Sequence, residues 1–504
     1  MKGSRPHSLK TRAVNGALSA GGGQLIRFAI KLGTLAVLAR FLTPADYGLV
    51  ALVTAITSVL RLFQDAGLST ATLQAREVTH LQSSSMYWLN VGLGGLLFLL
   101  TVLLGPVAAQ LYNHPEMTLL FPCFGLAAFI TSFRAQRVAL MQRDLQFHLQ
   151  VVSEIVADVL SSALGIGLAM VGAGLWCLPA IEISQRLFSN LLLFLFHDWR
   201  PAFRFSYPEI RPFLRFGSSI MGANAVARAT QGFDALVVGS FLGAAPLGLY
   251  NRAQNLLHAP LNQFVSPLSA VARAAIFRTA SEPARFTRSV TAVLQIIALG
   301  GALIVLLSLS LAPQIVGIVL GPAWVACVPL FMALMPFAMV EPCSVFLHSV
   351  LIAKGEGSAL LKWKLANAGL VLGSLLIGLP WGVLGVALSY GLGGLLLRFP
   401  LLFVYASRKT EIPFRTLIGS VAPTTGACAV AAMVAVYRNV HQPNLGPLQA
   451  LGTVAIVLSL FAALTLLSPG PRAALTGLRR TAADRLRSFG ATPAPAVRLP
   501  HVDG

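Results

Sequence analysis

Charge is what this chain has least of. Only 11% of its 504 residues are Asp, Glu, Lys or Arg, against roughly 25% in a soluble domain. With 56% hydrophobic residues, it cannot clothe itself in polar groups. That excludes a water-soluble globule and makes lipid its solvent. Cysteine is scarce too: Cys123, Cys177, Cys327, Cys343 and Cys428 stand singly inside apolar runs, with neither a disulfide framework nor a metal-ligand spacing, and they read as packing residues. The runs are continuous rather than alternating, so strands are not indicated. MKGSRPHSLKTR at the start is basic, but the run after it is too long for a cleavable signal and carries Arg27 and Lys31.

What is present is a succession of apolar runs long enough to span about 30 Å of hydrocarbon. They predict an all-α polytopic membrane protein with fourteen transmembrane helices, over 13–41, 46–66, 86–111, 117–139, 151–172, 175–197, 212–241, 246–271, 289–320, 323–352, 361–379, 382–405, 415–437 and 447–468. A break near Pro313 fits inside the ninth run. With the N-terminus inside, most of the 37 Lys and Arg fall in eight cytoplasmic segments, and the opposite loops hold only Arg438. This asymmetry places both termini in the cytoplasm. It also accounts for the net charge of +20 without nucleic acid, because dispersed bases with few aromatic neighbours suit anionic lipid headgroups.

LARFLTPADYGLV at 38–50 returns 200 residues later as VGSFLGAAPLGLY at 238–250, with Phe41-Leu42, Ala45, Gly48 and Leu49 matching Phe241-Leu242, Ala245, Gly248 and Leu249. Further corners align at offsets of 200 to 211, among them Gly174-Leu175-Trp176 with Gly382-Val383-Leu384. Helices 1–6 and 7–12 therefore read as two six-helix units. Six is even, so both start from the cytoplasm, and they are parallel repeats about an axis along the membrane normal. The expected organisation is a basic N-terminus (1–12), a first lobe (13–197), a basic inter-lobe loop (198–211), a second lobe (212–405), helices 13 and 14 (415–468) and a basic tail (469–504).

Apart from those at the cytoplasmic ends of the runs, eight basic residues fall inside helices, where a charge near the bilayer centre costs roughly 2.5–3.5 kcal/mol. Arg186 follows Glu182 by four residues and reads as a local bridge, while Arg40 is near enough to the outer interface to snorkel and Arg398 either snorkels or pairs locally. Arg27 and Lys31 share one face of helix 1, Arg228 lies one position from the duplicate of Arg27, and Arg61 and Arg252 come from the neighbouring helices of each half. These five residues predict a cationic cavity between the halves. The acids inside or beside helices are Asp46, Asp65, Glu154, Asp158, Asp234 and Glu341. Glu154 and Asp158, one turn apart, suit either a shared proton or cation, or pairing with the cavity arginines. Gly21-Gly22-Gly23 follows no strand and reads as a packing or bending site, not a phosphate loop.

The corner LARFLTPADYGLVALV, with FQDAGLSTATLQ, SSSMYWLNVGLGGLLF, GAGLW and DALVVGSFLGAAPLGLYNRA, resembles the oligosaccharide flippases of the polysaccharide transporter family, the subgroup exporting colanic-acid-type and O-antigen units. The similarity covers about residues 10–410 and fades over helices 13 and 14. It implies the multidrug/oligosaccharidyl-lipid/polysaccharide flippase superfamily: two lobes in a V around a central cavity, alternating access, no bond made or broken, and residence in the bacterial inner membrane. The implied cargo is an undecaprenyl-diphosphate-linked oligosaccharide, with anionic lipids and the polysaccharide polymerase and export machinery as further partners. Arg27, Lys31, Arg61, Arg228 and Arg252 then hold the diphosphate, since guanidinium groups bind it bidentately, and Asp46 closes the outer gate against a base of the other lobe. The related lipid II flippases suggest coupling to sodium at Asp234, Asn367 and Ser389. A second acid is missing from that pattern, which leaves a proton on Asp234 or on Glu154 and Asp158 as the alternative. No cofactor is implied. A cation-coupled multidrug exporter of the same superfamily is the competing reading, and it predicts a cavity dominated by acids.

Overall fold

The computed structural model describes residues 9–61, 64, 67–75, 77–144, 146–215, 232–279, 282–442 and 446–467. Among these, every element is helical. The first lobe holds α1 (Leu9–Leu38), α2 (Pro44–Leu60), the short α3 (Leu68–Gln74), α4 (His80–Tyr112), α5 (Met117–Arg143), α6 (Phe147–Met170) and α7 (Cys177–Phe196). After the inter-lobe segment come α8 over 207–215, then α9 (Phe233–Leu242), α10 (Ala244–Thr279), α11 (Pro283–Ser310), α12 (Ala312–Val319), α13 (Cys327–Ala338), α14 (Glu341–Ala353), α15 (Gly357–Gly378), α16 (Gly382–Gly393), a π-turn (Gly394–Arg398), α17 (Phe399–Thr410), α18 (Phe414–His441) and α19 (Pro447–Leu467). Eight helices or helix runs among the described residues are long and apolar enough to cross a membrane.

Several runs that read as continuous are broken. The ninth does break, at Leu311 just before Pro313, which has no N–H to continue the ladder. The tenth was expected whole over 323–352. Instead α13 ends at Ala338 and α14 restarts at Glu341-Pro342, where Pro342 has no N–H to donate back to the Ala338 carbonyl. The twelfth carries the π-turn. The second ends at Leu60, so Arg61 is a C-cap and not a residue inside the helix. The seventh run lies mostly outside the described residues.

α1 packs on α6, and α4 on α5, in the first lobe; α13 packs on α10 and α16 in the second. α18 and α19 lean on α11, and Asn439 of α18 donates to the Leu309 carbonyl at 2.6 Å. Four of the five cysteines are buried and none is paired. The serine run that opens α4 anchors the inter-lobe segment: Ser84 and Ser85 accept from the Ala202 and Ser206 amides at 3.0 Å each, and Trp88 donates to the Ala202 carbonyl.

The repeated corner is where the lobes meet. Thr43 and Asp46 close a capping box at the start of α2, and at the matching position the chain turns through Gly243, whose φ of 90° suits glycine. Gly48 and Gly248 then lie against one another. A Cβ on Gly48 would lie 2.6 Å from the Ala244 carbonyl carbon, and one on Gly248 would lie 2.7 Å from that of Pro44. Pro44 and Ala244 are themselves repeat partners, so the contact is reciprocal. Around it, Trp324 donates to the Ala39 carbonyl at 2.9 Å and packs edge-on against Tyr47 at 5.4 Å, while the Arg252 guanidinium lies 4.3 Å above the Tyr47 ring.

Candidate functional site

Below this crossing, a cavity of about 230 Å³ opens between the lobes, lined from α1, α6, α7 and α10. Of the five predicted cationic residues, it brings together Arg27, Lys31 and Arg252. Arg186, expected only as a local bridge, joins them. Arg228 lies outside the described residues, as does Asp65. Arg61 stands behind the wall, 3.5 Å from Glu182.

The acids of this cavity are already occupied. Arg27 Nε donates to Asp158 at 2.6 Å, and its Nη1 pairs with Glu154. Glu154 also takes Arg134 Nη2 at 2.8 Å and Gln150 at 3.2 Å. Glu182 takes Arg186 at 2.8 Å, as the spacing of four residues predicts. Pairing across the cavity is therefore what the structure supports for Glu154 and Asp158. Arg134, near the end of the run 117–139, is buried in this network. Once the pairs are formed, Lys31 of the first lobe and Arg252 of the second have no acid within ion-pair distance among the described residues, and both line the cavity.

The gate residue needs correction. Asp46 accepts through Oδ2 from the Thr43 amide at 2.8 Å and its hydroxyl at 2.7 Å, so it caps α2, and it meets no base of the other lobe within ion-pair distance among the described residues. Glycine contact and aromatic packing close that end instead.

A second cavity of about 580 Å³ lies within the second lobe. Asp234 and Asn367 both line it. Ser389 does not: its hydroxyl donates to the Val386 carbonyl at 3.1 Å, and it packs against Gly378. No three acidic, His or Cys side chains among the described residues are grouped to hold a metal ion. Sequence reading passed over His258, which faces this cavity 3.1 Å from Glu341. An ionisable residue in an apolar run was the available signal, but only acids, lysines and arginines were weighed. Arg398 does not snorkel. It is buried, with its guanidinium 4.2 Å from the Phe337 ring and 4.3 Å from the Tyr390 ring, and it donates to the Tyr390 carbonyl at 2.7 Å.

Comparison with known proteins gives a consistent picture. Over 397 residues the chain is 27% identical to the lipopolysaccharide biosynthesis protein WzxC of Escherichia coli (strain K12), covering 76% of this chain and 78% of that one. It is 23% identical to the succinoglycan biosynthesis transport protein ExoT of Rhizobium meliloti (strain 1021), with 70% and 71% covered. Among solved structures, the lipid II flippase MurJ in an inward closed conformation matches with a TM-score of 0.68 at 12% identity, over 90% of this chain and 98% of that one. An inward-facing multidrug resistance MATE transporter matches with a TM-score of 0.60 at 14% identity, over 76% and 94%. These likenesses establish the two-lobed, all-helical transporter fold. A family model described as polysaccharide biosynthesis protein matches residues 37–329, more than half of the sequence, and the chain belongs to that family.

Proposed function

We propose that this protein is a flippase for a diphosphate-linked oligosaccharide on a polyprenyl anchor, turning it from the cytoplasmic to the outer leaflet of the bacterial inner membrane by alternating access. The observation that carries the reading is the pair of uncompensated cations, Lys31 and Arg252, one from each lobe, facing one cavity. Two spare positive charges match the charge that a diphosphate brings into a site the bilayer core would otherwise reject. Because they come from different lobes, a bound diphosphate bridges the halves and differs in affinity between open and closed arrangements, as a transported ligand must. The tail stays in lipid, no bond is made, and anionic lipids lie along the basic segments. Arg27 positions Glu154 and Asp158 and becomes available to the diphosphate only by exchanging partners. A multidrug exporter selecting cationic drugs fits less well, since the cavity carries surplus base and no surplus acid.

Resetting the empty carrier requires a gradient, and an ion site in the second-lobe cavity beside Asp234 and Asn367 supplies a means of using one. Both termini on the cytoplasmic side complete the reading.

The test is glycan display by cells whose own exporter is deleted. Lys31→Ala with Arg252→Ala should abolish display while the protein stays in the membrane, and Arg252→Lys should restore only part of it, because a point charge lacks the bidentate fork. Full display by the double variant would refute the assignment.

A further inference from the structure

We propose that His258 and Glu341 form a proton-exchange site in the second lobe. This rests on the flippase reading and identifies its coupling ion. His258 Nδ1 and Glu341 Oε2 are 3.1 Å apart, with 29% and 25% of their side chains exposed to the cavity that α9, α10, α14 and α15 surround. Imidazole is the side chain whose unperturbed charge change falls between about pH 5 and 8.

The other ionisable groups of the cavity make the exchange consequential. Asp234 enters from α9, Lys364 from α15, Arg398 from the π-turn, and His348 from α14 one face below Glu341. The Tyr390 ring also lines it. Arg398 is held between aromatic rings and cannot give up its proton. Two carboxylates, one lysine and one arginine balance to zero while both imidazoles are neutral. A proton on His258 then makes the cavity cationic, with Glu341 as its counterion. Two buried atoms facing this space, His348 Nε2 and Arg398 Nε, make no hydrogen bond with the protein. A polar space this large holds water, which is the route a proton needs.

Among the described residues the first-lobe cavity offers no such site. Glu154, Asp158 and Glu182 are each held by an arginine, and arginine stays charged at any accessible pH. Lys364 and Arg398, beside the acids of the second cavity, disfavour a bare metal cation there and leave a proton as the fitting ligand.

The site is also placed to move something. Glu341 is the first residue of α14, directly after the break in the tenth run, so its carboxylate stabilises a helix N-terminus only while charged. His258 sits on α10, the helix that also carries Gly248 of the lobe crossing and Arg252 of the first cavity. Those three residues lie within ten positions, about 15 Å of helix. Loss of the proton removes the ionic tie between α10 and α14 and frees α10 to shift at the crossing.

The direct test is nuclear magnetic resonance of the ring nitrogens of His-labelled, full-length protein in lipid vesicles, with the His258 signal identified by its loss in His258→Gln. The ring should titrate between roughly pH 5 and 8, and Glu341→Gln should displace the midpoint. Asp234→Asn serves as a second variant, since Asp234 lines the same cavity. A ring that does not titrate in this range, or a midpoint indifferent to both substitutions, overturns the proposal. In exporting cells, His258→Gln should abolish the dependence of display on external pH, and replacing sodium by potassium should change nothing. A loss of display on sodium removal overturns proton coupling. If no glycan is exported at all, the flippase reading falls while the ring titration still decides the proton site.

Discussion

Adding one methyl group at the lobe crossing should hold the transporter open at its corner end. In the structure the backbones of α2 and α10 touch through Gly48 and Gly248 with no side chain between them. A Cβ on Gly48 would lie 2.6 Å from the Ala244 carbonyl carbon and 3.0 Å from the Gly248 nitrogen. Ordinary carbon contacts are about 3.5–4.0 Å and the Ala244 carbonyl oxygen lies closer still, so Gly48→Ala requires the helices to separate by more than about 1 Å. The obstacle is backbone and not the end of a flexible side chain, so it cannot swing aside. Overpacking of this kind costs about 1–3 kcal/mol, charged only to the state in which the lobes touch. By the rule that about 1.4 kcal/mol is tenfold, the closed-corner population should fall by roughly fivefold to somewhat over a hundredfold. Gly248→Ala should do the same, because its Cβ meets Pro44 in the reciprocal contact.

The assay is electron-electron distance measurement between spin labels on Phe41 and Phe241, repeat partners that are both exposed at the corner, 48% and 69%, in a cysteine-free background. The distribution should move to longer distances in either glycine variant, and glycan display should fall because the carrier no longer closes outward. Unchanged distances and full display in Gly48→Ala would refute the idea that this contact is the gate.

Three further outcomes are expected. Glu154→Gln removes the carboxylate that Arg134 depends on and that Arg27, which keeps Asp158, shares; stranding the buried Arg134 guanidinium typically costs about 3–5 kcal/mol, so the unfolding temperature in detergent should drop sharply, and an unchanged melting curve would argue against the network. Ser84→Ala with Ser85→Ala should release the inter-lobe segment from α4 and speed tryptic cleavage at Arg204, an exposed residue; equal cleavage rates would show that the serines do not anchor it. A reporter fused after the last residue should be active only as a cytoplasmic reporter, and a periplasmic signal would mean an odd number of spans.

The membrane class, the helical runs and the duplicated corner were all readable in the sequence, since each rests on composition or on spacing within one chain. Helix breaks were partly readable. Pro313 marked one, but Pro342 passed unnoticed because Met339-Val340 ahead of it are apolar and the run looks whole. The site was legible in its residues and not in its pairings. Arg27 with Lys31 signalled a charged face, but its link to Glu154 and Asp158 joins helices more than 120 residues apart, which no periodicity encodes. Asp46 was misread because a carboxylate three residues after Thr43 is a capping pattern as well as a gate candidate, and the local bond won. His258 was legible as an ionisable residue in an apolar run but was passed over; its partner is visible only once α14 is folded beside α10.

The two lobes share a plan but divide the work, and the difference follows from how their charges are satisfied. In the first lobe every cavity acid is bound to an arginine, a pairing that stays charged across physiological pH and so keeps its shape throughout a cycle. What remains unsatisfied there is positive and suits a permanent anion. In the second lobe the acids face a histidine, a lysine and open space, so their surroundings change with a single proton. A carrier needs one site that holds cargo by fixed charge and another that changes with a gradient, and the two must share a moving part. α10 is that part. It places Arg252 in the first cavity and His258 in the second, with Gly248 at the contact between the lobes. A change of charge at His258 therefore reaches the gate and the cargo site along one rigid helix, and no relay of side chains is required.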